Sequence, residues 1–189
     1  ELEQRLMTLG RKAGTQVRGV FQFDMSRRTR AANAALTGLG NTRRIILGDT
    51  LLNEFSPDEI ETVLAHELGH HVHKDIPLGI LFGTVSTILG FFLVSRALNW
   101  GVDAFGFAGV EDIAALPLFV LVLGAFGLIL LPLNNAYSRW RERLADAYAL
   151  RATRKPAAFA AAMKRLANQN LAEAKPEPWV EWLLYSHPA

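Results

Sequence analysis

The order of apolar and polar positions predicts one helix and a small β-sheet near the N-terminus of this 189-residue chain. In residues 1–14, apolar side chains recur every three or four positions, which predicts an amphipathic helix. Residues 19–24 alternate between apolar and polar side chains, a pattern typical of a strand. Two more short strands are predicted at 31–37 and 44–47, and together the three would form the sheet.

A second helical pattern begins at Ser56. Ser56 and Glu59 have the spacing of a capping box, and Pro57 stands at the first helical position, where no backbone N–H is needed. Apolar residues then recur at three- and four-residue spacing from Ile60 to Leu68. This pattern predicts a helix with one buried face.

Two long runs without a charged residue follow, at 76–95 and 113–138. Each is long enough to cross a hydrocarbon core of about 30 Å as a helix. The alternative is a pair of buried helices in a large soluble core, but a chain of this size could hardly cover two helices that are apolar all round. We therefore predict a transmembrane hairpin with spans at about 76–95 and 113–136, in a multi-pass integral membrane protein whose partner is the lipid bilayer.

Charge and composition exclude several classes of protein. The net charge of +2 is too small to indicate nucleic acid, so we expect no nucleic-acid partner. The absence of cysteine excludes disulfides and thiolate metal sites. The connection 96–112 carries one basic and three acidic residues, so the positive-inside tendency places the segments on either side of the hairpin in the cytoplasm. Because the chain begins with glutamate rather than methionine, we expect it to be part of a longer protein.

The helix predicted after Ser56 carries the residues of a metal-dependent hydrolase. His66 and His70 are one helical turn apart, so both imidazoles leave the same face and can bind one metal ion. Glu67 lies beside them, where its carboxylate can take a proton from a metal-bound water. Without thiolates, nitrogen and oxygen ligands indicate one Zn²⁺ ion as the cofactor of a metallopeptidase. The alternative is a surface helix that happens to carry histidines.

A zinc site of this type needs a third protein ligand, and two regions compete for that role. His73 shares the face of His66, but seven residues of helix are about 10 Å long, whereas Zn–N bonds are about 2 Å. His71 is rotated off that face. Beyond the second span, Glu142 and Asp146 are one turn apart on a predicted helix. Because two spans bring the chain back across the membrane, this helix lies on the same side as His66 and His70.

We therefore predict Glu142 as the third ligand. Asp146 would then orient a ligand histidine by accepting its other N–H. The alternative for Glu142 is an exposed charge pair with one of the neighbouring arginines, which would have no role in metal binding.

The small sheet offers a place for an extended substrate. A peptide can add to the free edge of a sheet by pairing with its backbone. Asn33 and Ala34 are the candidates for that edge, and an ordinary strand inside the sheet is the alternative.

A set of short segments in fixed order extends these motifs over most of the chain. The segments are Asn33-Ala34, Thr37-Gly38-Leu39-Gly40, Arg43-Arg44-Ile45-Ile46-Leu47, Asp49-Thr50-Leu51-Leu52, Ser56-Pro57-Asp58-Glu59-Ile60, His66-Glu67-Leu68-Gly69-His70, Ser138-Arg139, Glu142, Ala145-Asp146 and Ser186-His187-Pro188. In this order they resemble the type I CAAX prenyl endopeptidases, a membrane-integrated family within the gluzincin peptidases. The resemblance implies zinc bound by His66, His70 and Glu142, with Glu67 as the catalytic base.

The resemblance also implies roles for two further residues. The aspartate that matches Asp146 is catalytic or closely supporting in that family. The histidine that matches His187 lies near the active site, where its N–H could stabilise a developing oxyanion. The sequence departs from the family at Ala35-Leu36, where aromatic residues are common, and at Arg143, where tyrosine is frequent. These departures leave the metal ligands intact and concern the substrate.

We thus expect a mainly α protein with a small β-sheet, in which a two-helix transmembrane hairpin is inserted between the zinc-binding helices of a gluzincin-like core. Its parts would be 1–75, the hairpin 76–136, and 137–189. The expected function is a zinc endopeptidase that acts on a peptide or protein substrate and processes prenylated CAAX sequences. A broad-specificity quality-control protease is one alternative, and a non-catalytic zinc-binding membrane scaffold is another.

Overall fold

The computed structural model describes residues 1–27, 29, 31–169 and 176–187, and it shows a mainly helical protein with one small sheet, as predicted. The strands are β1 (Val20–Phe23), β2 (Ala34–Thr37) and β3 (Arg44–Gly48). The helices are α1 (Leu2–Lys12), α2 (Asp49–Glu54), α3 (Pro57–Val72), α4 (Asp75–Phe105), α5 (Leu116–Thr153), α6 (Pro156–Gln169) and α7 (Pro178–Leu184). The short helices α2 and α7 are not predicted by apolar periodicity.

β3 is the central strand of the sheet. β1 pairs with it in parallel and β2 pairs with it antiparallel, with Ala35 opposite Ile46. Ile45 and Leu47 of β3 are buried because they face the helices. β2 is therefore an edge strand, and its second edge has no partner strand in the described part of the chain.

The core of the sheet-containing part is built around α3. The predicted capping box starts this helix: Ser56 Oγ accepts the N–H of Glu59, and the Glu59 carboxylate accepts the N–H of Ser56 at 2.7 Å. Leu64 and Leu68 have no exposed surface and belong to one apolar cluster with Leu6 of α1. One face of α3 is thus anchored in the core, which leaves another face for polar side chains.

α4 and α5 form a hairpin of two long apolar helices. They run antiparallel, because Phe82 stacks on Tyr137 near one end and Gly101 faces Leu118 near the other. Both helices are long and apolar enough to cross a membrane. In the most apolar 18-residue stretch of each helix, only 11% (α4) and 6% (α5) is buried by the rest of the protein. A helix in a soluble core would be mostly covered. Within the described residues, these two helices are therefore not the buried core of a soluble domain.

α5 continues without interruption from the apolar run into the segment that carries Glu142. Pro132 lies inside the helix, and the boundary expected at 136–137 falls within it. α5 then packs closely against α3: a Cβ added to Gly69 would lie 2.8 Å from the Cα of Ala145. The absence of a side chain at Gly69 therefore allows the backbones of these two helices to approach.

Candidate metal centre

Three side chains from α3 and α5 converge at one point. His66 and His70 leave the same face of α3, and the close contact at Gly69 brings Glu142 of α5 over them. His66 Nε2 lies 3.1 Å from His70 Nε2 and 3.3 Å from Glu142 Oε2. Glu142 Oε1 lies 3.7 Å from His70 Nε2. These are the three predicted ligands, and their ligand atoms all lie within 4.8 Å of one another.

These separations fit a small divalent cation. Two ligand atoms at about 2.0–2.1 Å from a tetrahedral zinc ion stand about 3.3 Å apart. The observed nitrogen–nitrogen and nitrogen–oxygen distances of 3.1 to 3.7 Å surround that value. The donor set of two imidazoles and one carboxylate would leave a fourth position for water, as in catalytic zinc sites.

The hydrogen bonds on the outer side of each imidazole determine its tautomer. His66 Nδ1 lies 2.9 Å from Asp146 Oδ1, and His70 Nδ1 lies 2.7 Å from Asp75 Oδ2. A carboxylate accepts, so each Nδ1 carries a proton, and the Nε2 of each ring is the nitrogen left to bind a metal. Without a metal, the two Nε2 atoms, 3.1 Å apart, can share a proton. The outer hydrogen bonds are therefore compatible with a metal ion bound through both Nε2 atoms.

The electrostatics of the cluster also favour a cation. Burial lowers the pKa of His66, but the carboxylates of Asp146 and Glu142 outweigh burial and raise this pKa to about 10. Burial raises the pKa of the Glu67 carboxyl; the adjacent histidines oppose this effect, and the charge of Glu142 adds to it. A carboxyl whose pKa lies closer to neutral is suited to accept a proton and release it again.

His187 lies at the edge of the metal centre. Its Nε2 is 3.5 Å from Glu142 Oε1, and its side chain is 70% exposed. α5 holds this C-terminal segment, because Asn135 donates to the carbonyl of Leu183 at 2.6 Å and Arg139 donates to that of Glu181 at 3.0 Å. The fold therefore brings His187 next to the predicted ligands, as the resemblance implies. Pro188 of the same motif lies outside the described residues.

His71 and His73 take no part in the metal group, in agreement with the helical geometry. Arg43 donates to the Nε2 of His71 at 2.7 Å, and burial together with the Arg43 charge lowers the pKa of this imidazole. His73 Nδ1 donates to the carbonyl of Gly69 at 2.8 Å. Both histidines are thus engaged in contacts around the end of α3.

The predicted substrate-binding residues Asn33 and Ala34 lie at the start of the edge strand. The carbonyl of Asn33 accepts the N–H of Gly48 at 2.9 Å, and Ala34 is buried. A cavity of about 450 Å³ lies at the other end of β2, where Leu36 and Leu39 face Glu67 and His70. Asn33 and Ala34 do not line this cavity, so their contact with substrate stays a prediction.

Asp75 and Arg141 are the polar residues near the site that sequence reasoning missed. Arg141 donates to Asp75, which in turn binds His70. Asp75 is visible in the sequence as the last charged residue before the first apolar run, and Arg141 precedes Glu142. Neither position predicts the contact, because it depends on the angle between α3 and α4.

A helix with two histidines one turn apart and a glutamate beside the first, joined by a glutamate from a second helix, defines the gluzincin class of metallopeptidases. The sequence pattern of Peptidase family M48 matches residues 1–189, and the chain belongs to this family.

Relatives from bacteria and yeast agree with this assignment. The chain is 32% identical to the uncharacterized metalloprotease YhfN of Bacillus subtilis and 33% identical to CAAX prenyl protease 1 of Saccharomyces cerevisiae. In both cases all of this chain aligns with 45% of the relative. The crystal structure of S. mikatae Ste24p matches the whole chain with a TM-score of 0.83 and 31% identity, over 48% of its own length. The resemblance to CAAX prenyl endopeptidases is thereby confirmed, and the chain spans about half the length of these relatives.

Proposed function

We propose that this chain is the catalytic part of a zinc-dependent membrane endopeptidase. The observation that carries the proposal is the convergence of His66, His70 and Glu142, with Glu67 beside them. A non-catalytic zinc scaffold would need the three ligands but not a carboxylate beside them that borders a cavity. Family membership supports the same conclusion.

The ligand chemistry favours zinc as the metal. The three residues offer two nitrogens and one oxygen at separations suited to tetrahedral coordination. When bound, a zinc ion supplies a Lewis acid that polarises a carbonyl and lowers the pKa of a water towards about 7. Asp146 and Asp75 hold the two imidazoles in the tautomer that such a metal requires.

Glu67 is the general base in this proposal. Its carboxylate would take a proton from the attacking water, a transfer that its raised pKa aids, and would then pass this proton to the leaving amine. His187 would donate its exposed ring N–H to the oxyanion that develops on the scissile carbonyl, because it lies beside Glu142. Asp146 would act through His66.

The substrate of the proposed enzyme is an extended peptide bound along β2. The second edge of β2 offers backbone donors and acceptors, and the cavity at its end is bordered by Leu36, Leu39 and Ile76. An apolar cavity beside Glu67 and the start of α4 suits a lipid-modified or apolar residue. The similarity to a protein named CAAX prenyl protease 1 supports processing of prenylated peptides.

The hairpin of α4 and α5 would hold this chemistry at a membrane surface. Both spans would cross the bilayer, so that the parts 1–75 and 137–189 lie together on one side. The acidic connection between the spans would face away from the cytoplasm, and the catalytic side would be cytoplasmic. The protein would then be an integral, multi-pass membrane protein.

Cleavage of matched peptides tests both activity and substrate. Zinc-loaded protein in detergent is incubated with a fluorogenic peptide, plain or farnesylated, beside Glu67→Gln. We expect turnover of the farnesylated peptide that is lost in Glu67→Gln while zinc remains bound. Equal turnover of both peptides would favour a broad-specificity protease, and no turnover of either peptide would favour the zinc scaffold.

A further inference from the structure

His70 is held by a residue that does not belong to the metal-binding helix. Its Nδ1 donates to Asp75 Oδ2 at 2.7 Å, and Asp75 is the first residue of α4. The second carboxylate oxygen, Oδ1, accepts a hydrogen bond from Nη2 of Arg141. Both oxygens of Asp75 are therefore used, one for the imidazole and one for the guanidinium.

Arg141 connects the middle of α5 with the junction between α3 and α4. It lies on α5 directly before Glu142, and its Nη2 donates to the carbonyl of His73 at the end of α3 and to Asp75 at the start of α4. Its side chain is only 9% exposed, and its guanidinium lies 5.2 Å from the ring of Trp140. A buried guanidinium in this place needs an anionic partner, which Asp75 provides.

The junction between α3 and α4 makes the contact with His70 geometrically feasible. In an uninterrupted helix, residues five apart point about 140° away from each other. Lys74 interrupts the helix with φ of 56°, in the left-handed region that non-glycine residues rarely adopt. This turn directs Asp75 back towards His70. A strained residue at this point fits a conformation that the surrounding contacts hold in place.

We propose that Asp75 and Arg141 are positioning residues for His70. Asp75 fixes the tautomer and the ring orientation, and Arg141 holds the Asp75 carboxylate and the junction of α3 with α4. The start of the first apolar helix is thus part of the metal centre. This inference rests on the proposed metallopeptidase function. Asp75 would orient His70 in the same way that Asp146 orients His66.

Asp75→Asn tests the role with little change of shape. If the amide oxygen accepts from Arg141, the amide NH₂ faces the Nδ1–H of His70, which disfavours the required tautomer. We expect zinc affinity, measured by competition with a chelator, to fall about 10- to 100-fold. We also expect kcat to fall while KM is retained, and Asp75→Glu to recover part of both losses.

A second variant separates positioning from folding. Asp75→Asn combined with Arg141→Gln removes both charges and leaves no unpaired guanidinium. Circular dichroism and thermal unfolding of the metal-free proteins report whether each variant folds. We expect this double variant to be folded and to show the same loss of zinc affinity as Asp75→Asn. Asp103→Asn, at an exposed position of the same helix, is the matched control and should bind zinc like the parent.

Three results would overturn the inference in different ways. Zinc affinity of Asp75→Asn equal to that of the parent would show that the carboxylate does not position His70. A loss of affinity only in variants whose metal-free form is unfolded would make the pair purely structural. A parent that binds no zinc would remove the proposed function itself and this inference with it, before any variant is compared.

Discussion

At the scale of single residues, the metal centre depends on carboxylates that orient imidazoles from different helices. Asp146 on α5 binds His66, and Asp75 at the start of α4 binds His70. Both Nε2 atoms therefore point at Glu142 before any metal enters. A preorganised ligand set of this kind reduces the conformational cost of metal binding.

Replacing Glu142 with glutamine tests the third ligand. The amide keeps the size of the side chain but removes its negative charge. We therefore expect zinc affinity to fall by more than the roughly 10- to 100-fold that is typical when a residue hydrogen-bonded to a metal ligand is replaced. Chelator competition gives the affinity. Glu111→Gln, in the exposed connection between α4 and α5, is the control and should bind zinc normally. An unchanged affinity in Glu142→Gln would exclude Glu142 as a ligand.

Glu61 gives a pH-dependent prediction away from the metal. It binds Arg5 and Lys155, and these cations outweigh the effect of burial, so that the pKa of its carboxyl is lowered from the ordinary 4.5. A lowered pKa stabilises the fold above the ordinary value, and this contribution is lost as the pH falls through the lowered pKa. Glu61→Gln should therefore destabilise the metal-free protein at about pH 7, by on the order of 1 kcal/mol.

Thermal unfolding at about pH 7 and about pH 3 checks the prediction for Glu61. The deficit of Glu61→Gln should shrink at the lower pH, because the stabilisation that a lowered pKa provides declines below the ordinary value of 4.5. Glu3→Gln, at an exposed position of α1, is the control. A deficit of the same size at both pH values would mean that the charge of Glu61 contributes nothing.

At the scale of elements, the site depends on how closely α5 approaches α3. The periodicity of each helix predicts its existence and its buried face, but the distance between them is set at Gly69 and Ala145. Helix α5 carries Glu142 one turn before that contact, so a shift of the helix would move the third ligand.

Gly69→Ala tests this close packing. The new Cβ would lie 2.8 Å from the Cα of Ala145, so the helices must separate. We expect a loss of about 1–3 kcal/mol in the free energy of unfolding, together with weaker zinc binding. Gly79→Ala, where a Cβ meets open space on α4, is the control and should leave both quantities nearly unchanged. Normal zinc binding in Gly69→Ala would mean that the approach is not needed for the site.

The sequence predicts α3 well because the signals for this helix are local. The capping box, the apolar spacing and the two histidines all lie within α3. The orienting pair Asp75 and Arg141 is not predictable in this way, since it depends on the left-handed turn at Lys74. His187 enters the prediction only through the family resemblance, because its place beside Glu142 results from the packing of α7 on α5.

At the scale of the whole molecule, the hairpin determines which parts of the chain share a compartment. Long uncharged runs predict both spans, and their exposed surfaces agree with a bilayer as their surroundings. The continuity of α5 is less predictable, because charged residues follow the apolar run without any helix-ending signal. The predicted third ligand, Glu142, is thus carried by an extension of the second apolar run.

Cysteine labelling tests this topology, since these 189 residues contain no cysteine. Val110→Cys lies in the connection of the hairpin, and Lys164→Cys lies on α6. We expect a membrane-impermeant maleimide to label position 110 in intact cells and position 164 only after permeabilisation. Labelling of both positions from outside would contradict a spanning hairpin. Labelling of position 164 in intact cells and of position 110 only after permeabilisation would show that the hairpin has the opposite orientation.

In the proposed enzyme, one zinc ion at His66, His70 and Glu142 supports hydrolysis with Glu67 as base. The most direct test adds zinc stepwise to metal-free protein and measures bound zinc and peptide turnover in the same samples. We expect turnover to rise in proportion to zinc up to one ion per chain, and Glu67→Gln to bind the same amount of zinc without turnover. Turnover that is independent of zinc, or an active Glu67→Gln variant, would contradict this proposal.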